Sequence, residues 1–164
     1  MASRKRGFTL LELLIVIAIL GIVTAIAIPN LLAAMQRAKQ KRTMSDLRTI
    51  ASAWESRATE VKAYNAAAAF SYPPVSTDFD SVNAILAPTY IRVLPRLDGW
   101  GNPFDFGVDQ AFGSGVAATA YALRSRGRDG RSQSTYVDGI TTDFDCDIVY
   151  SGGSFVVYPE GVQK

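Results

Sequence analysis

The chain changes character abruptly near its N-terminus, and this change constrains what it can form more than any other feature. Residues 4–6 are Arg-Lys-Arg, Gly7 follows, and residues 8–28 then carry one charged side chain, Glu12. A helix of this length spans about 31 Å, enough to cross the hydrocarbon core of a bilayer. Basic residues mark the cytoplasmic flank of such a segment. The pattern therefore predicts a membrane-spanning helix with its N-terminus in the cytoplasm.

Glu12 is unusual inside this segment, because an ionisable side chain near mid-membrane costs about 2.5–3.5 kcal/mol on insertion and so requires a partner. The junction resembles the class III leader of type IV prepilins and type II secretion pseudopilins. That resemblance implies a peptidase that cuts between Gly7 and Phe8 and methylates the new N-terminal amine. We expect Glu12 to pair with the amine of Phe8, on its own or a neighbouring subunit, and so to direct assembly.

Two simpler interpretations of the N-terminus explain less. An ordinary secretory signal has an apolar region of about 7–15 residues before an Ala-x-Ala-like site, and residues 25–27 (Ala-Ile-Ala) resemble such a site. The apolar stretch here is longer, contains Glu12, and is followed at once by Pro29. A plain membrane anchor explains the length and the basic flank, but neither Glu12 nor the junction at Gly7.

Charge and composition exclude several functions. The chain has 17 basic and 15 acidic residues, and since three basic residues belong to the leader, the mature chain has 14 and a net charge of −1. This balance gives no basis for nucleic-acid binding. Histidine, the commonest general base and metal ligand, is absent from the sequence. The single cysteine, Cys146, cannot form an internal disulfide; we expect it to be a small buried residue, with exposure and intermolecular pairing as the open alternative.

One long helix is predicted from about residue 8 to residue 64. We expect it to break or loosen at Gly21 and Pro29, because proline removes a backbone hydrogen bond. Four basic residues follow that should contact phospholipid headgroups or neighbouring subunits: Arg37, Lys39, Lys41 and Arg42. Beyond them, apolar residues at helical spacing predict a buried stripe: Leu47, Ile50, Ala51, Trp54, Ala58 and Val61.

These patterns divide the chain into four segments: a leader (1–7), a transmembrane part of the helix (8–28), an amphipathic second half (29–64) and a periplasmic head (65–164). The head begins with an irregular connector that has a helical turn near 81–86. Strands are predicted at 104–108 and 118–124, and a hairpin around a Ser-Gly-Gly-Ser turn at 147–150 and 155–158. The predicted fold is α+β, a long N-terminal helix packed on a small antiparallel sheet.

Two motifs in the head indicate which family of prepilin-like proteins the chain resembles. Residues 98–104 read Asp-Gly-Trp-Gly-Asn-Pro-Phe and have the composition of a turn before a strand. Residues 121–130 read Tyr-Ala-Leu-Arg-Ser-Arg-Gly-Arg-Asp-Gly. Together with the leader and the helix, they resemble the major pseudopilin of type II secretion over most of the chain. That resemblance implies the type IV pilin-like fold and a calcium ion bound in the loop after Asp129.

The resemblance also implies a set of calcium ligands: the carboxylates of Asp129, Asp143, Asp145 and Asp147 and the carbonyl oxygens of Arg126 and Arg131. Three carboxylates within five residues repel one another unless a cation neutralises them, and Ca²⁺ takes six to eight oxygen ligands. Nearby arginines offer an alternative, because ion pairs can neutralise the same acids: Arg124, Arg126, Arg128 and Arg131. The sequence leaves both arrangements open.

In function, the resemblance implies a structural subunit of a periplasmic pseudopilus that grows from the inner membrane and drives proteins across the outer membrane. The implied partners are further copies of this chain, a prepilin peptidase and methyltransferase, other pseudopilins or minor pilins, the inner-membrane assembly platform and membrane lipid. The subunit would be a single-pass inner-membrane protein before it enters the filament. Small residues would let neighbouring helices approach closely: Ala18, Gly21 and Ala25.

Two other functions fit the sequence less well. A type IV pilin of a surface pilus would share the N-terminal helix, but the C-terminal cysteine pair is missing and the Trp-Gly-Asn-Pro sequence favours the pseudopilin. A membrane-anchored periplasmic enzyme has little support, because the sequence has neither histidine nor a recognisable nucleophile motif.

Overall fold

The computed structural model describes residues 7–62, 79–109, 118–133 and 139–163. The chain forms two compact units, residues 1–36 and residues 37–164. The described residues form two helices, α1 (Leu10–Val61) and α2 (Phe79–Leu86), and five strands: β1 (Asp105–Val108), β2 (Tyr121–Ser125), β3 (Gly139–Thr141), β4 (Ile148–Ser151) and β5 (Ser154–Pro159). A long N-terminal helix and a small sheet confirm the predicted α+β fold.

The helix α1 is the longest element, with 52 residues. It begins at Leu10, two residues after the predicted start, and ends at Val61. Lys62 has a φ of 57°, the left-handed conformation that commonly terminates a helix. The predicted end at Tyr64 lies outside the described residues.

A full break of α1 at the predicted positions is not seen in this chain, and loosening of the helix there stays a prediction. The helix passes through Gly21 and Pro29 without interruption. Pro29 cannot donate a hydrogen bond to the carbonyl four residues earlier. The next residue supplies an additional donor, because the Asn30 side-chain amide donates to the carbonyl oxygen of Ile26 at 3.1 Å.

The buried face of α1 forms one side of the core of the head. Of the predicted apolar stripe, all residues except Val61 are buried, and Val61, in the last turn, is 47% exposed. The Trp54 ring centre lies 6.2 Å from that of Phe106 and 5.4 Å from that of Tyr121. Aromatic and aliphatic side chains from the sheet complete this core: Phe106, Val108, Tyr121, Leu123 and Ile148.

The sheet is mixed, so the prediction of a wholly antiparallel sheet is wrong. The strand order is β1-β2-β4-β5-β3. Three pairings are antiparallel, including the predicted β4–β5 hairpin, whereas β3 pairs with β5 in parallel. No tight turn joins β3 to β5, so the chain connection does not impose an antiparallel pairing. The strand β3 was not predicted, because it has only three residues and is partly exposed.

Candidate functional site

The predicted cleavage site is exposed and does not pack against other described residues. Phe8 is 73% exposed, and a Cβ atom added at Gly7 would meet no atom within 4 Å. The described part of the chain therefore leaves the Gly7–Phe8 peptide bond accessible. Cleavage and methylation at this bond stay predictions.

Thr9 and Glu12 form a capping box at the start of α1. The Thr9 hydroxyl oxygen accepts a hydrogen bond from the backbone N–H of Glu12 (3.2 Å), and Glu12 Oε2 accepts from the N–H (2.9 Å) and the hydroxyl (2.7 Å) of Thr9. This exchange provides acceptors for two backbone N–H groups that a helix start leaves without partners. Sequence analysis missed it, although Thr-x-x-Glu before an apolar run is its signature. The pairing of Glu12 with the amine of Phe8 needs a cleaved chain and stays a prediction.

The N-terminal part of α1 exposes its apolar side chains. The large apolar residues from Phe8 to Met35 are between 45% and 81% exposed. Of the helices described, α1 alone is long and apolar enough to cross a membrane, and none of its apolar window is buried within the chain. The Thr24 hydroxyl donates to the carbonyl oxygen of Leu20 at 2.7 Å, so this polar group is satisfied inside the helix. Such a surface suits a bilayer or a bundle of helices rather than water.

Asp98 organises the loop that precedes β1. Its side chain is buried, and its Oδ1 accepts hydrogen bonds from the backbone N–H groups of Trp100 and Asn102, both at 2.9 Å. Its Oδ2 accepts from the Ser125 hydroxyl at 2.6 Å. Trp100 is partly buried and packs against the core. One carboxylate thus holds the loop in shape and ties it to the end of β2.

The two head motifs and the helix meet at this loop. The backbone N–H of Gly99 donates to the Thr43 hydroxyl at 2.9 Å, and a Cβ atom at Gly99 would lie 2.2 Å from the carbonyl oxygen of Lys39. The Asn102 side-chain amide donates to the carbonyl oxygen of Gly127 at 2.8 Å. The motif at 98–104 is therefore a three-way connection between α1, β2 and the loop that follows β2.

The structure brings the predicted calcium residues together only in part. Four of them line one surface depression: Asp129, Arg131, Asp143 and Asp145. Asp147 is instead fully buried, with its Oδ2 3.7 Å from Arg124 Nη1, and Arg126, whose carbonyl oxygen is the predicted ligand, is not among the described residues that line the depression. Cys146 lines the same depression and is partly exposed, because the turn that contains it lies at the surface. The prediction of a buried cysteine is therefore wrong.

Arg128 binds the exposed acids of this depression. Its Nε and Nη2 donate to the two carboxylate oxygens of Asp145 at 2.6 and 2.7 Å, and Nη2 lies 3.8 Å from Asp143 Oδ1. These hydrogen bonds hold the pKa of Asp145 below its ordinary value. A two-point pair of this kind is the strongest arrangement available to an arginine and a carboxylate.

A second ion pair, which sequence analysis missed, lies buried beneath the sheet edge. Asp105 accepts hydrogen bonds from Arg124 Nε at 2.9 Å and from Arg126 Nε and Nη2 at 2.9 and 2.6 Å. Burial raises the pKa of Asp105, but the hydrogen bonds from the two guanidinium groups outweigh it and hold the pKa below its ordinary value. Only the strand register, which sets Asp105 opposite Arg124, reveals this pair.

These contacts engage several of the oxygens that a calcium ion would need. Both carboxylate oxygens of Asp145 accept from Arg128, and one oxygen each of Asp129 and Asp143 accepts from a backbone N–H. Calcium needs six to eight oxygen ligands. Across the described ranges, no group of three or more acidic, histidine or cysteine side chains is arranged to hold a metal ion. The arginine–aspartate network is the arrangement that these contacts support.

Comparison with known proteins gives three findings about this chain. The pattern described as the prokaryotic N-terminal methylation motif matches residues 2–28. Type II secretion system core protein G of Aeromonas hydrophila is 31% identical over 120 residues, which cover 67% of this chain and 78% of the relative. The protein of the same description from Escherichia coli is 28% identical over 136 residues, which cover 78% of this chain and 85% of the relative.

A pilin also shows similarity, over a shorter stretch. The type IV major pilin protein PilA of Myxococcus xanthus is 45% identical over 62 residues, which cover 38% of this chain and 28% of the relative. No solved structure matches the chain.

The N-terminal methylation motif, the long apolar helix and the α+β head define a type IV pilin-like protein. Within that class, the relatives from Aeromonas hydrophila and Escherichia coli are matched over more than two thirds of their length and share one description. The chain belongs to the family of type II secretion system core protein G.

Proposed function

We propose that this chain is the repeating subunit of a pseudopilus, the periplasmic filament of type II secretion that drives proteins across the outer membrane. Its role is structural rather than enzymatic. The subunit starts as a single-pass protein of the inner membrane with a cytoplasmic N-terminus and a periplasmic head, and then enters the filament. The relatives named for type II secretion support this proposal.

One observation carries the proposal: the head has its own closed core, while the N-terminal part of α1 has none. The large apolar residues of that part, from Phe8 to Met35, are all about half exposed or more. Exposed apolar surface of this extent marks an interaction site. Lipid can cover it before assembly, and the same helix of neighbouring subunits can cover it afterwards.

Processing is the first step of this function. A prepilin peptidase removes residues 1–7 and methylates Phe8, which is consistent with the methylation motif matched at residues 2–28. The new amine then lies beside the capping box of Thr9 and Glu12, where it can offset the charge of the carboxylate. Mass spectrometry of the membrane form tests this step, since an intact Met1 contradicts it.

The remaining partners follow from the position of the helix. Other pseudopilins and the inner-membrane assembly platform would contact the same apolar surface during assembly. Basic side chains at the end of the apolar part are well placed to contact phospholipid headgroups: Arg37, Lys41 and Arg42, all exposed.

Replacing Glu12 tests the assembly function. Glu12→Leu should insert in the membrane and be cleaved normally, because the apolar segment only becomes more apolar. It should yield few filaments, because the charge that sets the register of subunits is lost. Filament yield is measured by imaging and by shearing filaments from cells that overproduce each variant.

Thr24→Val is the matched control, since it removes a polar group from the same segment whose hydrogen bond lies within the helix. It should assemble like the unchanged chain. Normal filament yield from Glu12→Leu contradicts the assigned role of Glu12.

A surface type IV pilin is the second candidate, and the 45% identity to PilA over 62 residues favours it. The two candidates predict different filaments. Imaging should show short filaments confined to the envelope for a pseudopilus, and long surface filaments for a pilus.

A further inference from the structure

We infer that Arg128 is the built-in cation of the acidic loop, so that the head is stable without a bound divalent ion. The guanidinium group neutralises Asp145 directly and Asp143 at longer range. It thereby joins the loop after β2 to the turn before β4. The inference concerns the head alone and does not depend on the proposed filament function.

The backbone and the side chain of Arg128 hold the same turn. Its N–H donates to the carbonyl oxygen of Phe144 at 2.8 Å, and its guanidinium carbon lies 5.9 Å from the centre of the Phe144 ring. The two hydrogen bonds to Asp145 then fix the plane of the guanidinium group. Arg128 therefore contacts each of the residues 143–145.

The turn that carries the acids is also held by hydrogen bonds of its own, which do not involve Arg128. Asp143 Oδ1 accepts from the N–H of Asp145 at 3.0 Å, and its carbonyl oxygen accepts from the N–H of Cys146 at 3.3 Å. This shape brings the two carboxylates to the same side of the loop, where they repel each other. A cation is needed there, and Arg128 supplies the charge.

The neighbouring residue makes the close approach possible. A Cβ atom at Gly127 would lie 2.6 Å from the carbonyl oxygen of Cys146 and 2.8 Å from that of Asp145. Gly127 also has a φ of 65°, which side chains rarely adopt. The loop thus passes against the acidic turn with no room for a side chain, and this places the next residue within reach of both acids.

Arg131 provides a matched comparison in the same loop. Its backbone N–H donates to Asp129 Oδ1 at 2.9 Å, whereas the described contacts include none between its side chain and an aspartate. Replacing either arginine by glutamine removes one positive charge. Only Arg128→Gln removes an ion pair with the described acids.

The experiment is a thermal melt of the full-length chain in detergent micelles, followed by tryptophan fluorescence. Both tryptophans of the chain, Trp54 and Trp100, lie in the unit formed by residues 37–164, so the signal reports on the head. The unchanged chain and each variant are melted in calcium and in chelator. The unchanged chain should melt at the same temperature in both.

Arg128→Gln should melt about 3–5 °C lower than the unchanged chain in chelator, as loss of an exposed two-point ion pair implies. Arg131→Gln should melt within about 1 °C of it. A calcium response that appears only in Arg128→Gln supports the inference, because the freed acids then accept an external cation. A variant that stays destabilised at every calcium concentration supports it too, since the acids then need the guanidinium geometry.

Two results overturn the inference. One is a melting temperature of the unchanged chain that rises in calcium and falls in chelator, which would show that the loop binds the ion despite Arg128. The other is an Arg128→Gln variant that melts like Arg131→Gln. Arg128→Lys separates charge from geometry: it should recover part of the stability that Arg128→Gln loses, because lysine keeps the positive charge but not the two-point pair.

Discussion

The N-terminal part of α1 and the head differ in where their polar side chains find hydrogen-bond partners. In residues 7–36, the hydrogen bonds of the Thr9, Thr24 and Asn30 side chains reach partners three or four residues away. In the head, the Gln40 side chain bonds to Gln163, 123 residues away, and Thr43 bonds to Gly99, 56 residues away. The first region satisfies these groups locally, whereas the second adds hydrogen bonds between segments that are distant in sequence.

Burial shows the same difference. The head has a core around Trp54, whereas the large apolar residues before Arg37 are exposed. The head therefore has the contacts of an independently stable unit. The N-terminal part has a stable backbone and an uncovered surface, which lipid or other subunits must cover. Substitutions in the head should change unfolding, and substitutions in the N-terminal part should change assembly.

The largest loss of stability in the head should come from Gly99→Ala. The new Cβ would lie 2.2 Å from the carbonyl oxygen of Lys39, and since both groups belong to the backbone, neither can turn aside. We expect the free energy of unfolding of the head to fall by about 3 kcal/mol or more. Tryptophan fluorescence during chemical unfolding measures it.

Gly21→Ala is the control from the other region, because a Cβ atom there would meet nothing within 4 Å in this chain. It should leave the unfolding of the head unchanged. If Gly21→Ala destabilised the head as much as Gly99→Ala, the division between the two regions would be wrong.

The second largest effect should come from Asp98→Ala. The change leaves the N–H groups of Trp100 and Asn102 and the hydroxyl of Ser125 without their acceptor. Buried groups that lose a partner should lower the free energy of unfolding by about 2–4 kcal/mol. Asp98→Asn keeps the shape and one acceptor oxygen and should cost less, and equal losses for both variants would indicate that the negative charge itself is required.

How much could be read from the sequence depends on how far apart the interacting residues lie. The leader junction, α1 and the β4–β5 hairpin were predicted, because charge, helical period and a turn are local signals. The strand β3 and the pair of Asp105 with Arg124 were missed, because both depend on strand register. The capping box of Thr9 and Glu12 was missed although its signal is local, because Thr-x-x-Glu before an apolar run is recognisable in the sequence.

The acidic loop could be predicted from the sequence only in part. The sequence identified the right acids and arginines but could not assign the pairs, since Arg128 and Asp145 lie 17 residues apart. Nothing local distinguishes Arg128, which binds Asp145, from Arg126, which binds the buried Asp105.

A third, smaller effect should appear in acid. The pKa of Asp105 is lowered in the folded head, so its contribution to stability is complete above the unfolded value, near pH 3.9, and is lost as the pH falls through the folded value. Asp105→Asn should therefore flatten the loss of stability below about pH 4. Unfolding free energies measured from neutral to acid pH test this.

Asp145→Asn is the exposed counterpart, because Arg128 lowers the pKa of Asp145 as well. Its effect should shrink in high salt, since mobile ions screen exposed charges, while that of Asp105→Asn should persist. Equal salt sensitivity of the two variants would contradict the burial of the Asp105 pair.

The smallest effect should come from Arg42→Gln, at the border between the two regions. Arg42 Nε lies 3.5 Å from Asp46 Oδ2, one turn along α1, and the Arg42 side chain is 68% exposed. An exposed pair of this kind contributes little, so the free energy of unfolding should fall by less than about 0.5 kcal/mol. Arg37→Gln is the control, because Arg37 is also exposed and precedes the first buried residue of the helix. A loss above about 1 kcal/mol for Arg42→Gln alone would assign Arg42 to the packing of the head. The stable part of the head would then include more of α1 than its buried core indicates.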